Sequence, residues 1–152
     1  MCTGGGSSGR VLNPRSRARG WALQMLYMWE QGSTDESLLL VARRAMATRR
    51  VSDRYKDYLA TLLAILSESL PEIDATLRRH LSNWRLERLS AIDRGILRIG
   101  AAELLFRADV PSAVAIHEAI QLAQRYGSSD SGRFVNGVLD AVAKHVRSPD
   151  EG

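Results

Sequence analysis

Residues 115–140 read AIHEAIQLAQRYGSSDSGRFVNGVLD, two helix-period segments on either side of a short polar loop. On a helical wheel drawn from Ser112 to Tyr126, one arc collects Ala113, Ala115, Ile116, Ala119, Ile120, Leu122 and Ala123. The other arc holds His117, Glu118, Gln121, Gln124 and Arg125. Beyond the loop, Phe134, Val135, Val138, Leu139, Ala141 and Val142 share a face, with Arg133, Asn136, Asp140 and Lys144 opposite. Asn136-Gly137 alone would signal a hairpin turn, but the helical period runs through it. Gly137 therefore reads as a point of close helix–helix approach, tolerated despite a cost of about 1 kcal/mol against Ala. The stretch predicts two helices joined by a polar loop, and with them an all-α fold.

Working outward, the rest of the chain adds five more helices and no strand. Asn13 is an N-cap with Pro14 at the first helical position, opening a helix to about Trp29 that Gly32-Ser33 ends. A second helix runs from about Asp35 to Thr48, and Ser52 caps a third that reaches about Ser69. Pro71 starts a short fourth helix to about His80, and Ser82-Asn83-Trp84 breaks the pattern. Ser90 with Asp93 resembles a capping box and opens a fifth helix to about Arg107. That helix is apolar on two sides (Ile92, Ile99 and Phe106; Leu97, Ala101 and Leu104), which predicts a central position. Asp109-Val110-Pro111 punctuates before the sixth helix, and Asp130 is the expected cap of the seventh. No internal repeat at a solenoid period is present.

A chain of 152 residues predicts one compact domain with a core of its own. The domain is placed at residues 14–147, between a disordered Gly/Ser-rich tail at 1–13 and a flexible C-terminus at 148–152. The single cysteine, Cys2, leaves neither a disulfide framework nor a cysteine metal cage, which fits a reducing, cytoplasmic setting. No apolar run approaches a membrane span, and the N-terminus lacks a signal-peptide core. The net charge is +4 and the pI is near 9.7. Nearly every cation is arginine, Lys56 and Lys144 being the exceptions. Arginine suits bidentate phosphate contacts, although GC-rich codon usage enriches it too.

The residues for an enzyme are missing from the pattern. His80, His117 and His145 share no metal-ligand spacing with one another or with carboxylates, so no metal and no cofactor is expected. Gly4 to Gly9 is a linker composition rather than a phosphate cradle, and no nucleophile elbow supports a Ser-His-Asp triad. His117, on the polar side of its helix beside Gln121, reads as solvated.

Three groups of residues stand out as binding candidates. Arg15, Arg17 and Arg19 occupy the first turns of a helix, where cations oppose the helix dipole and exposed N–H groups favour phosphate. They read as RNA contacts, the alternative being a solvated basic terminus. Tyr126 and Phe134 flank the loop 127–131 and Arg133 adds charge, a composition suited to stacking splayed RNA bases. Phe134 lies at the rim of its apolar arc, so core and platform both remain open for it. Asp130 is foremost a cap, with any RNA role secondary. Leu23 and Tyr27 fall opposite the first helix's apolar arc of Ala18, Trp21, Ala22, Met25, Met28 and Trp29. An exposed Leu/Tyr pair suggests a partner surface, against burial under another helix.

The 115–140 tract resembles the NusB family of bacterial transcription antitermination factors. It agrees with the family's A-I-N-E-A…F-V-N-G-V-L-D pattern nearly throughout, with His117 where Asn is usual. A second block resembles the family's central helix: Asp93-Arg94-Gly95-Ile96-Leu97-Arg98-Ile99 followed by Glu103-Leu104-Leu105, with Ala102 where an aromatic is common. Arg15-Ser16-Arg17-Ala18-Arg19 through Tyr27 resembles its Arg-rich opening helix. The likeness runs from about Pro14 to Val146 in the right order. It implies a NusB-like helical bundle that binds boxA RNA together with the small ribosomal subunit protein NusE. Its setting would be the transcription elongation complex, where it promotes read-through in ribosomal RNA operons. The resemblance further implies RNA contact by Arg15, Arg17, Arg19 and Phe134, and NusE contact by Tyr27 and Asp93. A homodimer that hides the RNA face is a further state the family allows. Two other readings stay open: the RNA-binding appendage of an rRNA cytosine methyltransferase, disfavoured because no cofactor-binding domain follows before Gly152, and a helical interaction module without RNA affinity.

Overall fold

The computed structural model describes residues 13–32 and 35–147. Among these, seven α-helices follow one another: α1 (Pro14–Gln31), α2 (Leu38–Thr48), α3 (Asp53–Glu68), α4 (Leu70–Arg79), α5 (Ala91–Phe106), α6 (Ser112–Tyr126) and α7 (Ser131–Val146). A single 3-10 turn, Leu86–Arg88, interrupts the α4–α5 connection. The tails expected at 1–13 and 148–152 lie outside the described residues, apart from Asn13.

Serine and asparagine caps mark the start of four of the seven helices. The Asn13 side chain accepts from the Ser16 N–H at 2.8 Å, ahead of Pro14. Ser37, Ser52 and Ser90 cap α2, α3 and α5 in the same way, each satisfying an N–H that has no partner within its helix. The expected Asp130 cap is not made, because Asp130 has a helical backbone (φ −96°, ψ −8°) and its side chain takes no N–H. The Ser131 hydroxyl accepts from the Ser128 N–H at 2.9 Å instead.

The fifth helix is central, as its two apolar sides predicted. Every residue from Gly95 to Leu104 is buried, and α5 packs against α1, α3, α4, α6 and α7. Such close contact needs small residues, and they lie on α5 itself. A Cβ on Gly95 would come 2.8 Å from Leu23 Cδ1, and one on Gly100 would come 2.4 Å from Leu139 Cδ1. The close approach expected at Gly137 is not there: a Cβ at that position meets nothing within 4 Å. Gly137 faces outward on α7 and has no packing role.

Buried ion pairs fasten the surrounding helices to α5. Near its C-terminal end, the fully buried Glu103 carboxylate accepts from Arg19 Nε of α1 at 2.7 Å and from the Tyr58 hydroxyl of α3. Burial, reinforced by the Glu103 charge, pushes the Tyr58 hydroxyl well above its ordinary pKa, so it stays protonated and donates. Toward the other end, Arg98 forms a two-toothed pair with Asp74 of α4, both bonds 2.9 Å, and also reaches Glu30 of α1. Arg94 adds a second fork to Glu30 at 2.6 and 2.9 Å, and donates to the Leu86 and Leu89 carbonyls. Arg147 serves the α5 C-terminus, donating to the carbonyls of Glu103, Leu104 and Arg107 at 3.0–3.1 Å. A cation there compensates both the unpaired carbonyls and the helix dipole.

Two outcomes follow from this packing. Gly137→Ala should raise stability by about 1 kcal/mol through helix propensity alone, read as a higher urea midpoint at unchanged slope. Burial raises the Glu30 pKa, but the Arg94 and Arg98 guanidiniums together outweigh it and hold it below the ordinary 4.5. A depressed carboxyl pKa stabilises the fold above the unfolded value and loses that contribution as pH falls through the folded one. Glu30→Gln should therefore be less stable than the parent at neutral pH, with the gap closing below about pH 4. Equal gaps at both pH values in urea unfolding would refute it.

Candidate nucleic-acid and partner interface

The arginines of α1 do not act as one cluster, and helix geometry gives the reason. Residues two apart lie about 200° apart around a helix, so Arg17 must face away from Arg15 and Arg19. Arg19 points inward, 2% exposed, paired with Glu103 and with Glu118 of α6 at 3.3 Å. It braces α1 against α5 and α6, and the expected phosphate contact is corrected: its guanidinium is enclosed and paired with two carboxylates. Arg15 lies over the Tyr58 ring at 4.4 Å and pairs with Asp109 at 3.1 Å, its side chain 42% exposed. Arg107 and then Arg15 hold the Asp109 carboxyl below its usual range. Arg17 alone is exposed and makes no ion pair with a described residue.

Arg17 borders a groove of about 940 Å³ between α1 and α6. Gly20, Gln24 and Tyr27 continue its α1 wall, while Gln121 and Tyr126 stand on α6. Tyr27 is 42% exposed and Tyr126 50%, so two aromatic rings border this groove. The Arg125 guanidinium lies 6.0 Å from the Tyr126 ring centroid. Gly20 has nothing within 4 Å of an added Cβ, which leaves the helix backbone open to close approach. Leu23 is not part of the exposed pair expected with Tyr27. It is 3% exposed and packs against Gly95, because α1 has α2, α3 and α5 as neighbours and its buried arc is wider than one stripe.

The α6–α7 loop is held in shape from below. Ser131 Oγ donates to Asp93 Oδ1 of α5 at 2.7 Å while accepting from the Ser128 N–H. Gly127 is required there, since a Cβ would come 2.5 Å from Ser131 Oγ. Asp93 is half-buried, with one carboxylate oxygen engaged by Ser131. Its evident structural work is to tie this loop to the start of α5. Asp130 and Arg133 are exposed, and Arg133 has no ion pair among the described residues. Phe134 is half-buried against the core, between the two readings its position allowed. Its ring meets Trp84 edge-on, centroids 6.3 Å apart at 75°. His117 is exposed and bonds Gln121 at 3.2 Å, the solvated role expected of it. Trp84, 60% exposed on the α4–α5 connection, lies in no periodic segment and carries no sequence signal.

Residues 16–144 match the family model described as the NusB family. The transcription antitermination protein NusB of Sorangium cellulosum is 41% identical over 143 residues, spanning 91% of this chain and 98% of its own. The structure of T. maritima NusB superposes with a TM-score of 0.82 at 36% identity, covering 91% of this chain and 96% of the other. A crystal structure of the antitermination factors NusB and NusE in complex with double-stranded RNA is also similar. Its TM-score is 0.74 at 29% identity, over 87% of this chain and 97% of that one.

The different surroundings of Arg17 and Arg19 can be separated by substitution. Arg19→Ala leaves Glu103 buried beside only a neutral hydroxyl and should cost about 3–5 kcal/mol. Arg17→Ala should stay within about 0.5 kcal/mol of the parent. Thermal unfolding of the two variants checks this; equal melting temperatures would refute the assignment.

Proposed function

The chain belongs to the NusB family of transcription antitermination factors, and from that premise we propose that its α1–α6 face binds boxA-type RNA together with NusE. It does so by binding alone, with no covalent chemistry, in the cytoplasm where nascent RNA is made. The observation that carries this reading is the groove in which two exposed tyrosines converge with Arg17 and Arg125, neither ion-paired with a described residue. Unpaired guanidiniums supply phosphate affinity, while Arg15 lies outside this groove, paired with Asp109 over the Tyr58 ring. The exposed ring of Tyr126 and the loop carrying Arg133 supply contacts to unpaired bases, with Asp130 beside them. Tyr27 offers the NusE contact, and Asp93 contributes by holding the loop. NusE, seated beside the RNA, enlarges the bound surface. The crystal structure of NusB and NusE with RNA is the precedent among similar proteins. No helix among the described residues is long and apolar enough to cross a membrane.

Fluorescence anisotropy with a boxA oligonucleotide and a scrambled control, with and without NusE, tests the proposal. Replacing Arg17 and Arg125 together by Ala should weaken RNA binding and flatten its salt dependence by about 0.7 per lost phosphate contact. Tyr27→Ala should weaken binding of NusE more than binding of RNA alone. Equal affinity for boxA and scrambled RNA, or an unchanged salt slope, would overturn it.

A further inference from the structure

We propose that Trp84 and Phe134 form a two-ring platform on which the bound RNA stacks an unpaired base, flanked by phosphates held by Arg85 and Arg133. This rests on the RNA-binding reading and adds to it a contact on a different element, the α4–α5 connection.

The argument begins with how Trp84 is held. The other two tryptophans, Trp21 and Trp29, pack partly buried against the core, whereas Trp84 is 60% exposed. Its exposure does not come from a slack loop. Leu81 and Leu86 on either side are 7% and 1% exposed. Arg94 fastens the Leu86 and Leu89 carbonyls from beneath at 3.2 and 2.7 Å, and Arg78 clasps Glu87 at 2.7 Å. A connection anchored this firmly keeps a large aromatic in water, at a cost in unburied apolar surface. Such a cost is met when the ring has an external partner.

The chemistry around the ring selects the partner. Between Arg78 and Arg88 the chain carries four arginines and one acid, Glu87. That acid is engaged by Arg78. The Arg85 side chain is 77% exposed, its one acidic neighbour 4.0 Å away. Across the gap, Arg133 is exposed beside Phe134, whose ring the indole meets at 75°. An exposed indole beside a half-buried ring, flanked by exposed guanidiniums, matches the combination that holds single strands: bases stack on the rings and phosphates meet the cations. An acidic protein surface would use the cations but leave the rings idle. The platform is also continuous with the proposed interface. Phe134 lies one turn into α7, and the same helix opens at Ser131, which shapes the 127–130 loop and bonds Asp93.

The test compares a boxA oligoribonucleotide with an abasic oligomer of equal length, by anisotropy on the intact chain. Trp84→Ala should raise the RNA Kd by about ten- to a hundredfold and leave the abasic Kd and the melting temperature unchanged. Trp84→Tyr should restore most of the affinity, since any aromatic face will stack. Arg17→Ala, the control for the underlying reading, should weaken both ligands. If Arg17→Ala weakens RNA binding while Trp84→Ala does not, the platform is wrong and the RNA reading stands. If Trp84→Ala weakens both ligands equally, or weakens NusE binding alone, base stacking is refuted. If the parent chain binds no RNA, both fall together.

Discussion

The constraint on which the rest of this structure depends is the burial of Glu103 in the middle of the molecule. An ionised carboxylate without water is tolerated only if other groups replace its hydration. Arg19 of α1 and Tyr58 of α3 supply that replacement at Oε2, while Oε1 is buried with no hydrogen-bond partner among the described residues. The requirement fixes the rotation of α1, since Arg19 has to face α5. Everything on the opposite side of α1 is then determined: Arg17, Gly20, Gln24 and Tyr27 line the outer groove because Arg19 and Leu23 are committed inward. The Arg94/Arg98–Glu30–Asp74 cluster holds the other end of α1 against α5 and α4. A helix fastened at both ends presents its outer residues in one fixed register, and that register is what a binding face needs.

This explains which parts of the chain could be read in advance. The α6–α7 pair was legible because a 3.6-residue apolar period on each side of a Gly/Ser loop admits one interpretation. The centrality of α5 was legible from its two apolar sides. The first helix was only half legible. A wheel divides residues into one apolar arc and one polar arc, but α1 has three neighbouring helices. Its inward surface therefore extends past the Ala18–Ala22–Met25 stripe to take in Arg19, Leu23 and Leu26. A charged residue inside that wider arc looks like surface until its buried partner, 84 positions away in sequence, is known.

Other residues are illegible in the sequence for related reasons. Gly137 sits in a helix, where glycine usually needs a packing excuse, yet nothing is near it. The packing glycines are Gly95 and Gly100, placed on α5 because that helix is the one enclosed by the others. Arg147 and Trp84 carry no periodic signal at all. Arg147 matters because it meets carbonyls 40 or more residues away, and Trp84 because of where an anchored connection holds it. Both are products of tertiary placement, so neither composition nor spacing could mark them.

The candidate interface divides into parts of different stiffness and origin. The groove is built on two helices braced by buried ion pairs, so its guanidiniums and tyrosines project from elements with little freedom to rearrange. The α6–α7 loop gains comparable order from the Ser131–Asp93 bond and its own serine contacts, short polar links that need no apolar burial. The α4–α5 connection gains it from Arg94, which serves the ion-pair cluster and the Leu86 and Leu89 carbonyls at once. The same arginine thus links the lock on α1 to the seat of Trp84. A strand binding across all three parts would meet surfaces already ordered, and its affinity would be reduced little by ordering the protein. The buried charges of this fold, which add little net stability against an apolar core, gain their significance here: they set the register of surfaces that hydrophobic packing alone would leave free to turn.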